Sequence, residues 1–315
     1  MGAPGYQFIE QYDKGLPQSR EELASCVRAY GDYLRRESGQ TGELPVDIKA
    51  ICNHFSLNVR SGKFKNSALD IDGVNLAELG IILYEESDAR TRQRYTQAHE
   101  LMECLIIALR GNQYPLSVES YLIESAKKEK LCNWGASLLL MPPKPFKHQV
   151  STLGLGIKAA EQIGSVFKTS RLATLWHQVN SYPRQCGLII WKRAHKPTEK
   201  NGMPDPNQLG LWEGHAPAEP VKKMRVQWSV FGRDARRVFF APRHKSVEET
   251  SLIVEAEKRG GLVAGSECVD LNGIQGEFDV EAVPFLRDGQ PHILSLFHWP
   301  KEVFYGIDTQ ESIPL

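Results

Sequence analysis

The chain has no excess charge of either sign, no long apolar run and no closely spaced cysteine pair. Its 38 Lys and Arg residues balance 38 Asp and Glu residues, so overall charge does not draw it to nucleic acid or to an anionic membrane. No apolar stretch is long enough to cross a bilayer. We therefore expect no membrane-spanning helix, and any nucleic-acid binding would need a local basic patch.

The cysteines and the first residues point to a compartment. The six cysteines, at 26, 52, 104, 132, 186 and 268, are scattered and form no C-x-x-C pair. This pattern is typical of reduced thiols in a cytosol and argues against a zinc site built from cysteines. The start, "MGAPGYQFIEQYDKGLPQ", has no apolar core followed by a cleavage site, so we expect no signal peptide and a cytoplasmic protein.

Composition and periodicity divide the 315 residues into four segments. We expect an N-terminal helical extension over 1–43, a mixed region over 44–150, a helical segment over 151–193 and an α/β region over 194–315. The last region opens with a polar stretch rich in proline and glycine, which predicts a loop. The fold class that this order indicates is α+β.

Helix signals are clearest in the first half of the chain. After a loose tail, Ser19 with Glu22 three residues later forms a capping-box pattern at the start of an amphipathic helix. The stretch from Val118 to Phe146 is predicted to be one long helical run, ended by Pro142 and Pro143. Beyond the loop, five stretches have strand composition: "MRVQWSVFG", "RRVFFAP", "GLVAGSECVDL", "QGEFDVEAVPFL" and "HILSLFHW".

One helical stretch carries candidate chemistry. In "RYTQAHELMECL", His99 and Glu100 begin like the zinc-protease motif H-E-x-x-H, but Glu103 stands where the second histidine is expected. Residues four apart share a helix face, so His99 and Glu103 can bind one ion together. Glu100 lies about 100° round the helix, where it can accept a proton from an attacking water.

A third ligand is needed, because a catalytic zinc takes three protein ligands. Glu129, in "EKLCNWGASLLLMPP", is the best candidate, and Asn133 lies one turn on as its orienting partner. One imidazole with two carboxylates shifts preference toward manganese or iron, although zinc stays plausible. The residues alone leave three readings open: a metal site with a changed ligand, a relic of one, or an ordinary amphipathic helix.

Three stretches in a fixed order resemble the ImmA/IrrE family of bacterial metallopeptidases. They are "LPVDIKAICNHFSLNV", "RTRQRYTQAHELMECL" and "EKLCNWGASLLLMP". Members of the family read roughly P-V-D, then R-x-R-F-T-x-A-H-E-L-G-H, then E-x-x-C/A-N-x-x-A-x-x-L-L-M-P. The resemblance covers about Leu44 to Phe146. This sequence departs from the family pattern at Met102, where glycine is expected, and at Glu103, where histidine is expected.

The resemblance implies a zincin-like domain and a function. It assigns His99 and Glu129 as ligands of the metal ion, Zn²⁺, and Glu100 as the general base, while Mn²⁺ stays a candidate ion because of the carboxylate donors. Glu103 then takes the place of the second histidine. The implied activity is that of a regulatory endopeptidase, which cleaves a specific partner such as a co-encoded helix-turn-helix repressor in transcriptional or stress regulation.

The resemblance extends more loosely to the rest of the chain. The segment 151–193 is similar to the helix-turn-helix-like middle part of the family's radiation-response branch. The region 194–315 is similar to the GAF-like sensor domain that follows it in that branch, and such a domain would bind a small effector. Two alternatives stay open. One is a catalytically degenerate peptidase scaffold that acts as a sensor or binding protein. The other is direct DNA binding through the cationic residues Lys158, Lys168, Arg171 and His177.

Overall fold

The computed structural model describes residues 4–63, 73–76, 80–110, 112–181, 186–200, 221–232, 235, 240–271, 274–287 and 289–299. Two compact units make up the chain, and the boundary between them lies after Thr174. The described helices are α1 (Pro4–Gln11), α2 (Arg20–Glu37), α3 (Ile48–His54), α4 (Arg90–Leu109), α5 (Leu116–Ile123), α6 (Ser125–Leu140), α7 (Pro143–Leu153), α8 (Ile157–Phe167), α9 (Arg171–Ser181), α10 (Pro197–Lys200) and α11 (Leu252–Arg259). The described strands are β1 (Asn58–Gly62), β2 (Gly73–Leu76), β3 (Ile81–Glu85), β4 (Cys186–Ala194), β5 (Lys223–Phe231), β6 (Val263–Leu271), β7 (Ile274–Arg287) and β8 (Gln290–His298).

The first unit combines a small sheet with a group of packed helices. The described sheet has the strand order β1-β3-β2, in which β3 pairs parallel with β1 and antiparallel with β2. Ile82 in the central strand is fully buried. The chain leaves this sheet at β3 and enters α4 within a few residues, so the sheet fixes where the helix that carries His99 begins.

Helix α2 confirms the capping signal read from the sequence. Ser19 is the N-cap, and its hydroxyl accepts a hydrogen bond from the backbone N–H of Glu22 at 3.1 Å. One face of α2 is buried, and Tyr30 on that face donates a hydrogen bond to the backbone oxygen of Leu101 in α4 at 3.1 Å. The N-terminal extension therefore supports the helix of the candidate site from behind.

The predicted loose tail is in fact helical. Helix α1 begins at Pro4, and Phe8 on this helix is almost fully buried. The ring centroid of Phe8 lies within 5.4 Å of the ring centroids of Tyr12, Tyr30 and Tyr33. Eight residues make a marginal helix by themselves, so this aromatic packing stabilises α1. The prediction was wrong because two of these partners, Tyr30 and Tyr33, lie on α2 and not within the tail itself.

The predicted long helical run is interrupted once. Helix α5 ends at Ile123, Glu124 adopts an extended conformation, and α6 begins at Ser125. The break lets Tyr121 and Leu122 remain buried on α5 while α6 turns to pack along α4. The predicted stop at the two prolines is confirmed for α6, and Pro143 then starts the further helix α7, which the sequence analysis did not predict.

A close contact between α4 and α6 accommodates Met102. A methyl group added at Gly135 would lie 2.7 Å from the Met102 sulfur and 2.8 Å from its Cγ. Met102 is almost fully buried, so it has little space to move away. The glycine on α6 thus leaves room for the larger residue that this sequence has next to Glu103 on α4.

We expect Gly135→Ala to destabilise the first unit when Met102 is present and to destabilise it much less when Met102 is replaced by Ala, where Val27 Cγ1, 3.0 Å from the added methyl group, is still close. Alanine is the better helix former by roughly 1 kcal/mol, but the clash with Met102 outweighs this gain. The coupling between the two positions should be about 1–2 kcal/mol in a double-mutant cycle followed by urea unfolding. Additive effects of the two substitutions would contradict this account of the contact.

The helical character predicted for the middle segment is confirmed. Helices α8 and α9 are joined through residues 168–170, and Lys168 adopts a left-handed conformation with φ of 53°. Among the residues considered for DNA binding, His177 is buried, and the Arg171 guanidinium lies 3.2 Å from a carboxylate oxygen of Glu161. These two side chains are engaged within the protein. The likeness of this segment to a DNA-binding motif stays a prediction.

The second unit is built on an antiparallel sheet. Its described strands have the order β5-β4-β8-β7-β6, and α11 packs against β6 and β7. Trp191 in β4 is fully buried and donates its indole N–H to the hydroxyl of Ser295 in β8 at 2.6 Å. The sheet begins before residue 194, because β4 belongs to it. Within the described ranges, no helix combines the length and the hydrophobicity that a membrane span needs.

The strand predictions for the second unit are confirmed where the structure describes them. Four of the five predicted stretches form β5, β6, β7 and β8. Residues 236–239 of the predicted strand "RRVFFAP" and most of the predicted loop after Ala194 lie outside the described residues, and the described residues 240–242 of that stretch are not in a strand. The mixed helix and sheet content confirms the α+β class, whereas the GAF-like character of this unit stays a prediction.

Candidate metal centre

The candidate site lies where two helices of the first unit face each other. His99, Glu100 and Glu103 are on α4, and Glu129 and Asn133 are on α6. On each helix the residues four apart share one face, so the two faces bring the imidazole and the carboxylates together. The structure thus places the four residues predicted from the sequence, together with Asn133, in one neighbourhood.

His99 is held between two groups of α6. Its Nε2 lies 3.3 Å from Oε2 of Glu129, and its Nδ1 lies 3.0 Å from Oδ1 of Asn133. An amide oxygen only accepts, so Nδ1 is the nitrogen that donates to Asn133. Nε2 then faces the carboxylate of Glu129, and this contact is favourable only with a proton or a cation shared between them. Fixing one ring nitrogen so that the other faces an ion is the usual arrangement of a ligating histidine.

The sequence analysis placed Asn133 in a different role. It predicted that Asn133 orients Glu129, whereas the asparagine amide contacts His99. The hydroxyl of Tyr95 donates to Asn133, at 3.1 Å from its side-chain oxygen and 3.1 Å from its backbone oxygen. Burial raises the pKa of Tyr95, so it remains a neutral donor. The sequence analysis missed Tyr95, although its position four residues before His99 puts it on the same helix face.

Lys128 is the second residue that the sequence analysis missed. Its ammonium lies 2.6 Å from Oε1 of Glu103 and 3.7 Å from Oε1 of Glu129, so it contacts one carboxylate from each helix. Burial works against the charge on Lys128, but the hydrogen bond and the charge of Glu103 outweigh it and raise the pKa of the lysine. A lysine next to a glutamate is common on helix surfaces, so the sequence carried no signal of this role.

Glu100 is the most buried carboxylate of the site, with 5% of its surface exposed. Burial raises its pKa well above the usual range of a glutamate, and the charge and hydrogen bond of nearby Glu103 add to this effect, followed by the charge of Glu129. A crowded carboxylate with a high proton affinity has the chemical character of a general base. The sequence predicted this role for Glu100.

The donor set fits a divalent ion in kind and in charge. Glu103 and Glu129 share a single ammonium, that of Lys128, so their two carboxylates outnumber the lysine charge by one, and imidazole with carboxylate oxygens suits zinc or manganese. Of the predicted ligands, His99 and Glu129 converge, while Glu103 is directed to Lys128. In the part of the chain that the structure describes, no three His, Cys, Asp or Glu side chains are disposed to hold one ion as they stand. Glu103 could act as the third predicted ligand only after leaving Lys128.

Three further basic side chains of the first unit have structural contacts or are exposed. Arg94 donates from its guanidinium to the backbone oxygen of Val46 at 2.9 Å and so ties α4 to the segment before α3. Arg92 lies 3.4 Å from the carboxylate of Asp88, an i,i+4 pair at the start of the helix. His148 is exposed on α7.

Comparison with known proteins identifies the first unit. Residues 52–175 match the family model described as the IrrE N-terminal-like domain, Peptidase_M78. Among solved structures, a Mycobacterium tuberculosis transcriptional regulator is similar, with a TM-score of 0.53 and 14% sequence identity, over 94% of this chain and 81% of that chain. At that identity the likeness shows the fold alone. A search of the curated proteins gives no match. Residues 52–175, which include His99 and Glu129, thus form an IrrE N-terminal-like M78 domain, as the resemblance to the ImmA/IrrE family predicted.

Proposed function

We propose that this chain is a regulatory metallopeptidase that cleaves one partner protein, such as a helix-turn-helix repressor of transcription. The observation that carries the proposal is the contact of His99 with Glu129, backed by Asn133, which requires a cation or a proton between the two groups. The M78 domain supports a peptidase fold. The similar Mycobacterium tuberculosis transcriptional regulator shares the fold, and at 14% identity it adds no evidence about function.

In this proposal each residue of the site has one role. His99, Glu129 and Glu103 hold a divalent ion, zinc or manganese. When bound, the ion supplies the Lewis acidity that stabilises negative charge on the peptide carbonyl oxygen. Glu100 accepts the proton of the attacking water at its carboxylate and delivers it to the amine of the leaving segment. Asn133 and Tyr95 hold the imidazole of His99 in the orientation that this chemistry needs.

Metal analysis of the purified chain tests the proposal. We expect saturable binding of about one zinc or manganese ion per chain, because three donors of the right kind lie on facing helices. His99→Ala and Glu103→Ala should each remove that binding, since each deletes a ligand. His148→Ala, an exposed histidine on α7, is the matched control and should bind like the natural chain. Elemental mass spectrometry after equilibrium dialysis gives the stoichiometry.

The opposite result is equally definite. If the chain holds no stoichiometric ion at any concentration, or if His99→Ala holds as much as the natural chain, the ligand assignment is wrong. Binding lost in His99→Ala but kept in His148→Ala supports the assignment of the imidazole. Folding of each variant is checked by circular dichroism before dialysis.

A second candidate function is favoured by the pairing of Glu103 with Lys128 at 2.6 Å. This ion pair balances a partly buried carboxylate without a metal, as expected of a degenerate peptidase scaffold that acts as a sensor or binding protein. Such a protein works through partner binding, through a small effector at the second unit or through DNA. This second candidate function predicts that the chain holds no stoichiometric ion. If the protein acts through DNA, its affinity for DNA should fall steeply as the salt concentration rises.

A further inference from the structure

We infer that Lys128 is an internal cation that competes with a divalent ion for Glu103, so that the site takes up an ion fully only when Lys128 is displaced. The inference rests on the proposed function, because it concerns the same site. It adds a residue that the family pattern does not include among the ligands. It also gives a physical reason why the third ligand is turned away from His99 and Glu129.

The contacts of Lys128 join the two halves of the site. Its ammonium contacts Oε1 of Glu103 on α4 and Oε1 of Glu129 on α6, at 2.6 and 3.7 Å. The other oxygen of Glu129, Oε2, faces Nε2 of His99 at 3.3 Å. Asn133, His99, Glu129, Lys128 and Glu103 therefore form one continuous chain of polar contacts across the helices. The position of the ammonium in this chain is that of a cation shared by two carboxylates.

Burial distinguishes this ion pair from ordinary surface pairs. The side chains of Lys128 and Glu103 are only 18% and 19% exposed. The preceding lysine, Lys127, contacts Glu124 at 3.0 Å, but there the side chains are 35% and 56% exposed. Exposed pairs contribute little to stability, whereas a partly buried carboxylate that loses its partner is costly. Lys128 is therefore held in place by the need of Glu103 for a positive charge.

A divalent ion offers Glu103 a stronger cation than the lysine does, but the two cannot share the site at low cost. An ion held by His99 and Glu129 would lie close to the ammonium, and like charges a few ångströms apart repel one another. Binding must therefore move Lys128 away and free the Glu103 oxygen. The affinity of the natural chain for the divalent ion includes this cost, so removing the charge of Lys128 should make the ion bind more tightly.

The test is zinc binding to the full chain, measured by calorimetry for the natural protein and for Lys128→Met. Methionine keeps an unbranched apolar stem and removes the charge. We expect Lys128→Met to bind zinc at least roughly tenfold more tightly, which corresponds to about 1.4 kcal/mol. Lys127→Met is the matched control, since it removes the same charge one residue away, and its affinity should stay within about twofold of the natural chain. His99→Ala in the Lys128→Met background should abolish the binding.

These outcomes separate the inference from the proposed function. If the natural chain binds zinc as tightly as Lys128→Met or more tightly, the inference that Lys128 competes with zinc is wrong, but the metal site itself still stands. An equal gain in Lys127→Met also overturns it, because the effect would then be one of net charge. No binding by either the natural chain or Lys128→Met overturns the proposed function itself.

A second measurement on the natural chain covers the case in which Lys128→Met does not fold. Binding is reciprocal, so if Lys128 hinders zinc, saturating zinc must displace Lys128. Amine acetylation followed by peptide mass spectrometry should then show faster labelling of Lys128 with zinc than without it. Lys127 is the internal reference and should be labelled at the same rate in both conditions. Unchanged labelling of Lys128 at saturating zinc overturns the inference.

Discussion

Replacing Glu100 by Gln should lower the rate of partner cleavage by roughly 10²–10⁴-fold, the usual contribution of a general base. The amide cannot accept a proton from water, so the step assigned to Glu100 is lost. Glutamine has the same shape, and its N–H can donate to Glu103, which retains the hydrogen bond between these two side chains. We therefore expect the variant to fold normally and to keep both ion and partner binding.

The measurement compares new protein N-termini in cells that produce the natural chain or Glu100→Gln. A cleavage product of the partner should appear with the natural chain and be nearly absent with the variant. Glu21→Gln, an exposed carboxylate in the first turn of α2, is the matched control and should cleave normally. A cleavage product that persists at close to the natural rate in Glu100→Gln would remove Glu100 from the mechanism.

Replacing Glu103 by His should raise the affinity for zinc by about 10–100-fold. Two histidines four apart on a helix can both bind one ion, and imidazole is a better zinc donor than a second carboxylate. The substitution also removes the carboxylate that holds Lys128, so the lysine no longer competes for that ligand. Position 103 is partly exposed, and we expect the fold to tolerate the change.

Calorimetry with zinc gives the affinity, and thermal unfolding without metal shows whether the fold is kept. If Lys128 acts mainly through Glu103, then adding Lys128→Met to Glu103→His should give a smaller gain than it gives in the natural chain. Weaker zinc binding by a folded Glu103→His variant would contradict the assignment of position 103 as a ligand.

Local chemistry explains why much of the fold was predictable. Ser19 caps α2 because a hydroxyl at that point accepts from an N–H three residues later, and this depends only on neighbouring residues. The strands of the second unit are rich in β-branched and aromatic residues, with Trp191 and Phe297 fully buried. Helix α1 and the break at Glu124 were missed because both depend on packing against helices that are distant in the sequence.

The same division applies to the candidate site. The spacing of His99, Glu100 and Glu103 determined by itself that an imidazole and a carboxylate share one face of a helix with a second carboxylate beside them. The order of motifs then indicated that Glu129 on a later helix belongs with them. These inferences need only the helical period and the resemblance to a family.

Only the tertiary structure decided which of these groups touch one another. The packing of α6 on α4 brings Asn133 to the imidazole of His99 and Lys128 to Glu103. Side-chain reach across a helix pair depends on the crossing of the two axes and on rotamers, and neither has a signature in the spacing of residues along one chain. The sequence thus determined the kinds of ligand on each helix face, and the fold determined that a lysine lies among them.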